Sequence, residues 1–200
     1  MPSSNKDLNL VFSTPIWTMI VDDYESINAK MLNYIKSLQA EDPKGEFKSN
    51  VSGWHSKPFE LQHASVLNFF NKIQKNLNKA IIDLGWNSPS NEFKITSAWS
   101  IINKKGSSNN RHIHSDNYIS AAYYVRAPEG CGDILFYDPR EAKVIRKPKG
   151  VDGNALSADV INIKPKEGLL VLFPSYLYHS VEENITNNER VVVSFNLDIK

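Results

Sequence analysis

The 200-residue sequence has a single cysteine, Cys131, so no intramolecular disulfide can hold the fold together. It has no excess of charge of either sign, because 23 Lys and Arg stand against 22 Asp and Glu for a net charge of +1. That balance argues against a protein that works by coating phosphate backbones or anionic lipid. No apolar run approaches the roughly 20 residues of a membrane-spanning helix. The first residues, MPSSNKDLNLVFSTP, lack the continuous apolar stretch of a secretory signal. Repeats and low-complexity tracts are missing as well. These absences set aside nucleic-acid binding, membrane insertion and disulfide scaffolding, and the expected location is the cytoplasm. What remains is an ordinary globular composition, 41% hydrophobic and 22% charged, in a chain long enough to bury about 70% of its unfolded surface. Histidine is scarce too, at five residues, and three of them fall into two short motifs.

The hydrophobic period changes near residue 90. After a short apolar stretch, Leu8 to Phe12, and a strand over Ile16 to Val21, the pattern is helical. Asp22 followed by Glu25 resembles a capping box, and Ile27, Met31, Ile35 and Leu38 recur at helical spacing. Glu41 to Gly53 is polar and reads as a surface loop. A second helix carries Val66, Phe69, Phe70, Ile73, Leu77, Ile81 and Leu84 on one side and stops at Gly85. From Phe93 onward the runs are short and β-rich: Phe93 to Ile102, Tyr118 to Val125, Asp133 to Tyr137, Lys143 to Ile145, Asp159 to Ile163, Leu169 to Phe173, Tyr178 to Val181 and Arg190 to Leu197. Eight such runs predict a sandwich or barrel. The expected class is α+β, mainly β. Residues 1–90 form a helical support for a double-stranded β-helix, or jelly roll, over 91–200, all within one domain.

The first chemical motif is Arg111-His112-Ile113-His114-Ser115-Asp116-Asn117. In an extended chain residues two apart share a side, so His112, His114 and Asp116 could face one interior. The second motif places His179 after the apolar run Leu169 to Phe173. Two ligands from one strand and a third from a distant strand make the facial triad of non-haem Fe(II) enzymes. The third motif is Arg190-Val191-Val192-Val193-Ser194-Phe195-Asn196, where Arg190, Val192, Ser194 and Asn196 share a face. An arginine inside an apolar barrel is costly unless an anion meets it. A dicarboxylate would do so, bound bidentately by the guanidinium and helped by the Ser194 hydroxyl.

Taken together, HIHSDNYISAAYYV, ILFYDPR, GLLVLFPSYLYHSV and ERVVVSFN resemble the 2-oxoglutarate and Fe(II)-dependent oxygenase superfamily, and more narrowly a group of such proteins from bacteria and phages. The resemblance covers residues 95 to 197 well and the remainder only in outline, through STPIW and Gly53-Trp54. It implies an Fe(II)- and 2-oxoglutarate-dependent dioxygenase that hydroxylates an unidentified substrate with release of succinate and CO2. Arg190 and Ser194 would then meet the far carboxylate of 2-oxoglutarate, with Tyr124 as a third contact. In the narrower group the first motif usually reads His-x-His-Pro, whereas Ser115 and Asp116 follow here. Two ligand sets are therefore open, His114, Asp116 and His179 or His112, His114 and His179. The carboxylate set is slightly preferred, because an acidic ligand lowers the charge of a ferrous site, and His112 would then stand behind the metal or touch substrate.

The expected partners are O2 and a small-molecule or peptide substrate, with a homodimer left open and no nucleic acid or membrane. Two other functions compete: a cupin-like three-histidine metal enzyme without 2-oxoglutarate, and a non-catalytic jelly-roll binding module. Weaker signals surround the motifs. Trp99 and Asn103 could line a pocket, although a strand tryptophan is more often core. Lys104 to Arg111 reads as a mobile segment beside the site. The basic residues Lys143, Arg146, Lys147 and Lys149 read as a solvated loop.

Overall fold

The computed structural model describes residues 8–140 and 154–199. The N-terminal part contains β1 (Trp17–Ile20), α1 (Tyr24–Glu41), β2 (Asn50–Val51), β3 (Trp54–His55) and α2 (Ala64–Asp83). It is followed by β4 (Phe93–Asn103), β5 (Ser108–His112), β6 (Ile119–Arg126) and β7 (Ile134–Tyr137). The last strands are β8 (Val160–Ile163), β9 (Leu169–Pro174), β10 (His179–Val181) and β11 (Arg190–Ile199). They form two antiparallel sheets, one ordered β1-β9-β6-β11-β4-β3 and the other β2-β5-β10-β7-β8. The larger sheet has helices on one face and the smaller sheet opposite the other, the layering of a double-stranded β-helix with helical support. No helix among the described residues is long and apolar enough to cross a membrane.

Period-two alternation sorts the larger sheet into two environments. Ala121, Tyr123, Val191, Val193 and Phe195 face the helices and pack with Ile27, Met31, Ile35, Val66, Phe69 and Ile73. The Phe69 ring lies 5.0 Å from Tyr123 and 6.1 Å from Phe195. The Tyr123 hydroxyl, carried to the helix side, donates to Asn28 Oδ1 at 2.7 Å. The intervening residues Ala122, Tyr124 and Val192 turn inward and meet Ile134 and Phe136 of β7.

The capping box does not form. Asp23, not Asp22, occupies the cap position, with a left-handed φ of 55° and no side-chain cap bond. A short polar side chain tolerates that backbone, and it frees both aspartates to pair with α2, Asp22 with Lys75 and Asp23 with Lys72. The end of α2 follows expectation. Gly85 adopts φ 68°, and the N–H groups of Gly85 and Trp86 donate to Ile82 and Ile81, closing the helix with a Schellman motif. Two segments read as loops are more ordered than their polarity suggests. Glu41 to Gly53 contributes β2, and Ser108 to Arg111 belongs to β5, because their backbones pair with each other and Asn50 and Asn109 are buried in the ladder. The expected strand Lys143 to Ile145 lies outside the described residues.

Removing the Phe69 ring tests how firmly the helices are tied to the sheet. Phe69→Ala should cost about 3–5 kcal/mol in urea unfolding. An unchanged midpoint would mean that the helical layer contributes little to the fold.

Candidate metal centre

His112 is the last residue of β5 and lies opposite His179 of β10. β5 stops there, so the alternation that would align His114 and Asp116 ends before reaching them. His114 is brought inward by other means. Its backbone N–H donates to Ser175 O at 3.0 Å, and its ring is held by β6 and β11. The chain then turns at Ser115 and Asp116, with Asp116 at a left-handed φ of 62° and exposed. Asn117 closes the turn by donating from Nδ2 to Ser115 O at 2.9 Å. The structure thus brings together His112, His114 and His179, one ring nitrogen of each lying within 4.8 Å of the others, and leaves Asp116 outside this group.

Each ring is oriented through Nδ1. His112 Nδ1 donates to Asn110 O at 2.7 Å and His179 Nδ1 to Leu177 O at 3.0 Å. His114 Nδ1 lies 2.8 Å from Asn196 Oδ1 and 2.9 Å from Ser120 Oγ. Ser120 also donates to Asn196 Oδ1. Carbonyl oxygens only accept, so the ring hydrogens sit on Nδ1 and Nε2 carries the free lone pair on all three histidines. Such outer bonds fix the tautomer of a metal-binding imidazole and raise its basicity. Burial pushes the pKa of His112 down, that of His114 down to about 4 and that of His179 down to about 3. All three are neutral at pH 7, the form a cation needs. Phe173, whose ring is 4.7 Å from His179, covers the apolar side of the cluster.

A cavity of about 600 Å³ joins these histidines to Arg190, Tyr124 and Ser194. Arg190 is only 2% exposed. Its Nη1 donates to Cys131 O and Gly132 O, both at 3.1 Å, and its Nε has no partner among the described residues. Burial lowers the Arg190 pKa and raises that of Tyr124, which faces it. Gly132 is required at its position, because it has φ 91° and a Cβ there would come within 2.3 Å of Glu182 O.

Several residues of the site carried no distinct signal in the sequence. Asn196 was identifiable only as an inward position of β11. Ser120 and Ser175, 2.7 Å apart, extend the same network behind His114. On the opposite face from His112, the Arg111 guanidinium stacks between Tyr137 at 4.3 Å and Tyr178 at 4.6 Å, tying β5 to β7 and to the segment that leads into His179. Trp99 does line the cavity, as does His55, whereas Asn103 is fully buried in the ladder. The fifth histidine, His63, caps α2 by accepting from Ser65 N.

Metal titration separates the two ligand sets. His112→Ala should weaken Co(II) binding by about 100-fold or more, Asn196→Leu by about 10- to 100-fold, and Asp116→Ala by less than about twofold. Equal losses for Asp116→Ala and His112→Ala would bring the carboxylate back into the ligand set. The depressed histidine pKa values also set a pH dependence. The unfolded chain takes up these protons near pH 6.5, whereas the folded metal-free protein resists until about 4 at His114 and about 3 at His179. Their contribution to stability is therefore complete above pH 6.5 and is lost as the pH falls through the folded values. The thermal midpoint of metal-free protein should fall between pH 7 and 4, and less steeply in a His114→Gln/His179→Gln variant.

The comparisons with known proteins agree with this geometry. Residues 97–196 match the family described as "Putative 2OG-Fe(II) oxygenase". A Pseudomonas putida prolyl-4-hydroxylase shares the fold with a TM-score of 0.63 at 15% identity, over 92% of this chain and 93% of that one. The collagen prolyl hydroxylase of Paramecium bursaria Chlorella virus-1 gives 0.58 at 15% identity, over 91% and 94%. The epimerase SnoN, solved with Fe3+, α-ketoglutarate and nogalamycin RO, gives 0.68 at 11% identity, over 92% and 79%. No curated protein matches the sequence. With the family match spanning half of the sequence and covering all three clustered histidines and Arg190, the chain belongs to the 2OG-Fe(II) oxygenase family.

Proposed function

We propose that the protein is a dioxygenase that uses Fe(II) and 2-oxoglutarate to hydroxylate its substrate, with the metal on Nε2 of His112, His114 and His179. The observation that carries this reading is Arg190. A guanidinium buried beside two neutral carbonyls, with Nε unpaired, sits in the same cavity as three neutral histidines. Isolated buried charge is expensive, and an anion with two oxygens offers the geometry and the counter-charge that this guanidinium lacks. The far carboxylate of 2-oxoglutarate has both, and its other end would reach toward the metal. The donor set therefore fits both groups.

When bound, they supply oxidising chemistry in which 2-oxoglutarate and O2 yield succinate and CO2 while one oxygen atom passes to the substrate. The protein's own residues bind, orient and exclude water. Asn196 and Ser120 hold the His114 ring, and the Asn110 and Leu177 carbonyls hold the other two. Ser194 and Tyr124 line the Arg190 end, where their hydroxyls can complete the carboxylate's hydrogen bonds. Phe173, Phe136, Ile134 and Val192 form the apolar wall that keeps this end dry.

A ligand set without a carboxylate gives the site a distinctive charge balance. A ferrous ion and Arg190 together present three positive charges, and the three histidines neutralise none of them. Dianionic 2-oxoglutarate would be the main counter-charge, which favours binding of cosubstrate before the more neutral substrate. A cupin-type enzyme without 2-oxoglutarate would share the three histidines but would have no use for Arg190.

Incubation with Fe(II), 2-oxoglutarate and air should produce succinate slowly even without a substrate, and a chelator should stop it. No succinate under these conditions would overturn the reading. Arg190→Met, which replaces the charge with an apolar chain of similar length, should raise the KM for 2-oxoglutarate by about 30-fold or more, the loss expected for a charged hydrogen-bonded pair. An unchanged KM would remove Arg190 from the cosubstrate site.

A further inference from the structure

The cavity holds a fourth histidine that takes no part in the metal cluster. His55, on β3, is 7% exposed and lines the cavity but stands outside the three-histidine group. Its Nδ1 donates to Ser56 O at 2.7 Å, which leaves Nε2 as a hydrogen-bond acceptor, and no described residue engages that nitrogen. Trp99 of β4 neighbours both His55 and His114. Its ring is nearly parallel to His55, at 6.0 Å and 13°, and meets His114 edge-on at 5.3 Å and 61°.

This pair is rigidly mounted. Ser56 N donates to Ser100 O and Ser100 N to Ser56 Oγ, both at 2.9 Å, which locks β3 to β4 one residue beyond His55 and Trp99. From the other side Glu46 N donates to His55 O at 2.8 Å. Gly45, at φ 62°, packs so closely that a Cβ would come within 2.5 Å of the same oxygen. An imidazole fixed on both flanks, with its acceptor nitrogen turned to a cavity, is prepared for a ligand that brings a donor.

The two ends of the cavity differ in what they accept. Arg190 calls for an anion, whereas a neutral imidazole lone pair repels carboxylate and phosphate oxygens and attracts N–H or O–H. The charges near His55 are already paired, Lys48 lying 3.5 Å from Glu46. The face of Trp99, with Ile101 and Pro58 beside it, offers a flat apolar wall. We propose that His55 and Trp99 form the substrate subsite, which binds an uncharged, flat or ring-shaped group bearing an amide N–H or alcohol O–H, the donor going to His55 Nε2 and the ring to Trp99. This assignment rests on the reading above, in which the three histidines hold the metal and Arg190 meets the far carboxylate of 2-oxoglutarate.

The test uses full-length 15N-labelled protein loaded with Zn(II) and 2-oxoglutarate, followed by NMR at the Trp99 indole and His55 imidazole nitrogens. Benzamide and benzyl alcohol serve as donor-bearing probes, N,N-dimethylbenzamide and benzyl methyl ether as their capped counterparts. At least one donor-bearing probe should shift both residues and bind about tenfold more tightly than its capped form. Which pair discriminates identifies the preferred donor as amide or hydroxyl. His55→Phe should erase the preference, and His55→Gln, which keeps an acceptor oxygen, should retain most of it. The proposal is overturned if neither pair discriminates, if the shifts avoid Trp99 and His55, or if His55→Phe discriminates as well as the wild type. Binding of 2-oxoglutarate to the same wild-type sample is read separately. Its failure would count against the cosubstrate reading, whereas intact 2-oxoglutarate binding without probe discrimination would sink this proposal alone.

Discussion

The register of β11 is the constraint on which the other features depend. Between Arg190 and Asn196 every second residue, Val191, Val193 and Phe195, is pressed against the helices, while Arg190, Val192, Ser194 and Asn196 turn to the cavity side. A slip of one residue would exchange the two sets. It would drive a guanidinium into the helix interface and leave His114 without its Asn196 support. β4 and β6 pin this register from both sides, so the apolar contact that stabilises the fold also aims the polar groups of the site. Packing and chemistry are two faces of one strand.

Electrostatics follow from the same arrangement. Three imidazoles kept neutral by burial, with every Nδ1 engaged, are already in the form that a metal ion needs. Arg190 is charged and only partly satisfied, so the cavity favours a cation at one end and an anion at the other. That polarity, spread over two sheets, would be hard to maintain with mobile side chains. The Arg111 stack on the reverse side of β5 and the glycine at position 132 show how much of the surrounding structure serves to hold those side chains still.

Much of this was legible in the sequence, for reasons that can be named. The alternation of β11 and β6 placed Arg190, Ser194 and Tyr124 on the inner face, and the short run Tyr178 to Val181 marked the strand that delivers His179. The helices were visible as apolar stripes, and Gly85 marked where the second one stops. Asp116 was harder to judge. Whether a His-x-His-x-Asp run stays extended depends on where pairing with β10 ends, and that is a property of the partner strand. Once β5 stops at His112, a left-handed turn carries the carboxylate away. The cavity wall from β3 and from the segment just before β2 was hidden for a related reason, since two-residue strands have no period to read. His55 stood alone in a polar segment, and only tertiary pairing with β4 reveals its neighbours.

The position of β11 in chain order also bears on how the molecule is made. Its partners β4 and β6 are synthesised earlier, as are the helices that cover them, yet the strand that joins β4 to β6 is β11. While the ribosome is still adding residues before Arg190, the larger sheet has a gap at its centre, with two unpaired strand edges and an apolar helix face with no complete surface to cover. Such long-range closure is slow and leaves sticky intermediates. β11 completes the sheet together with the Arg190 and Asn196 side chains of the site, so a truncated translation product that retains all three clustered histidines would still lack a working centre.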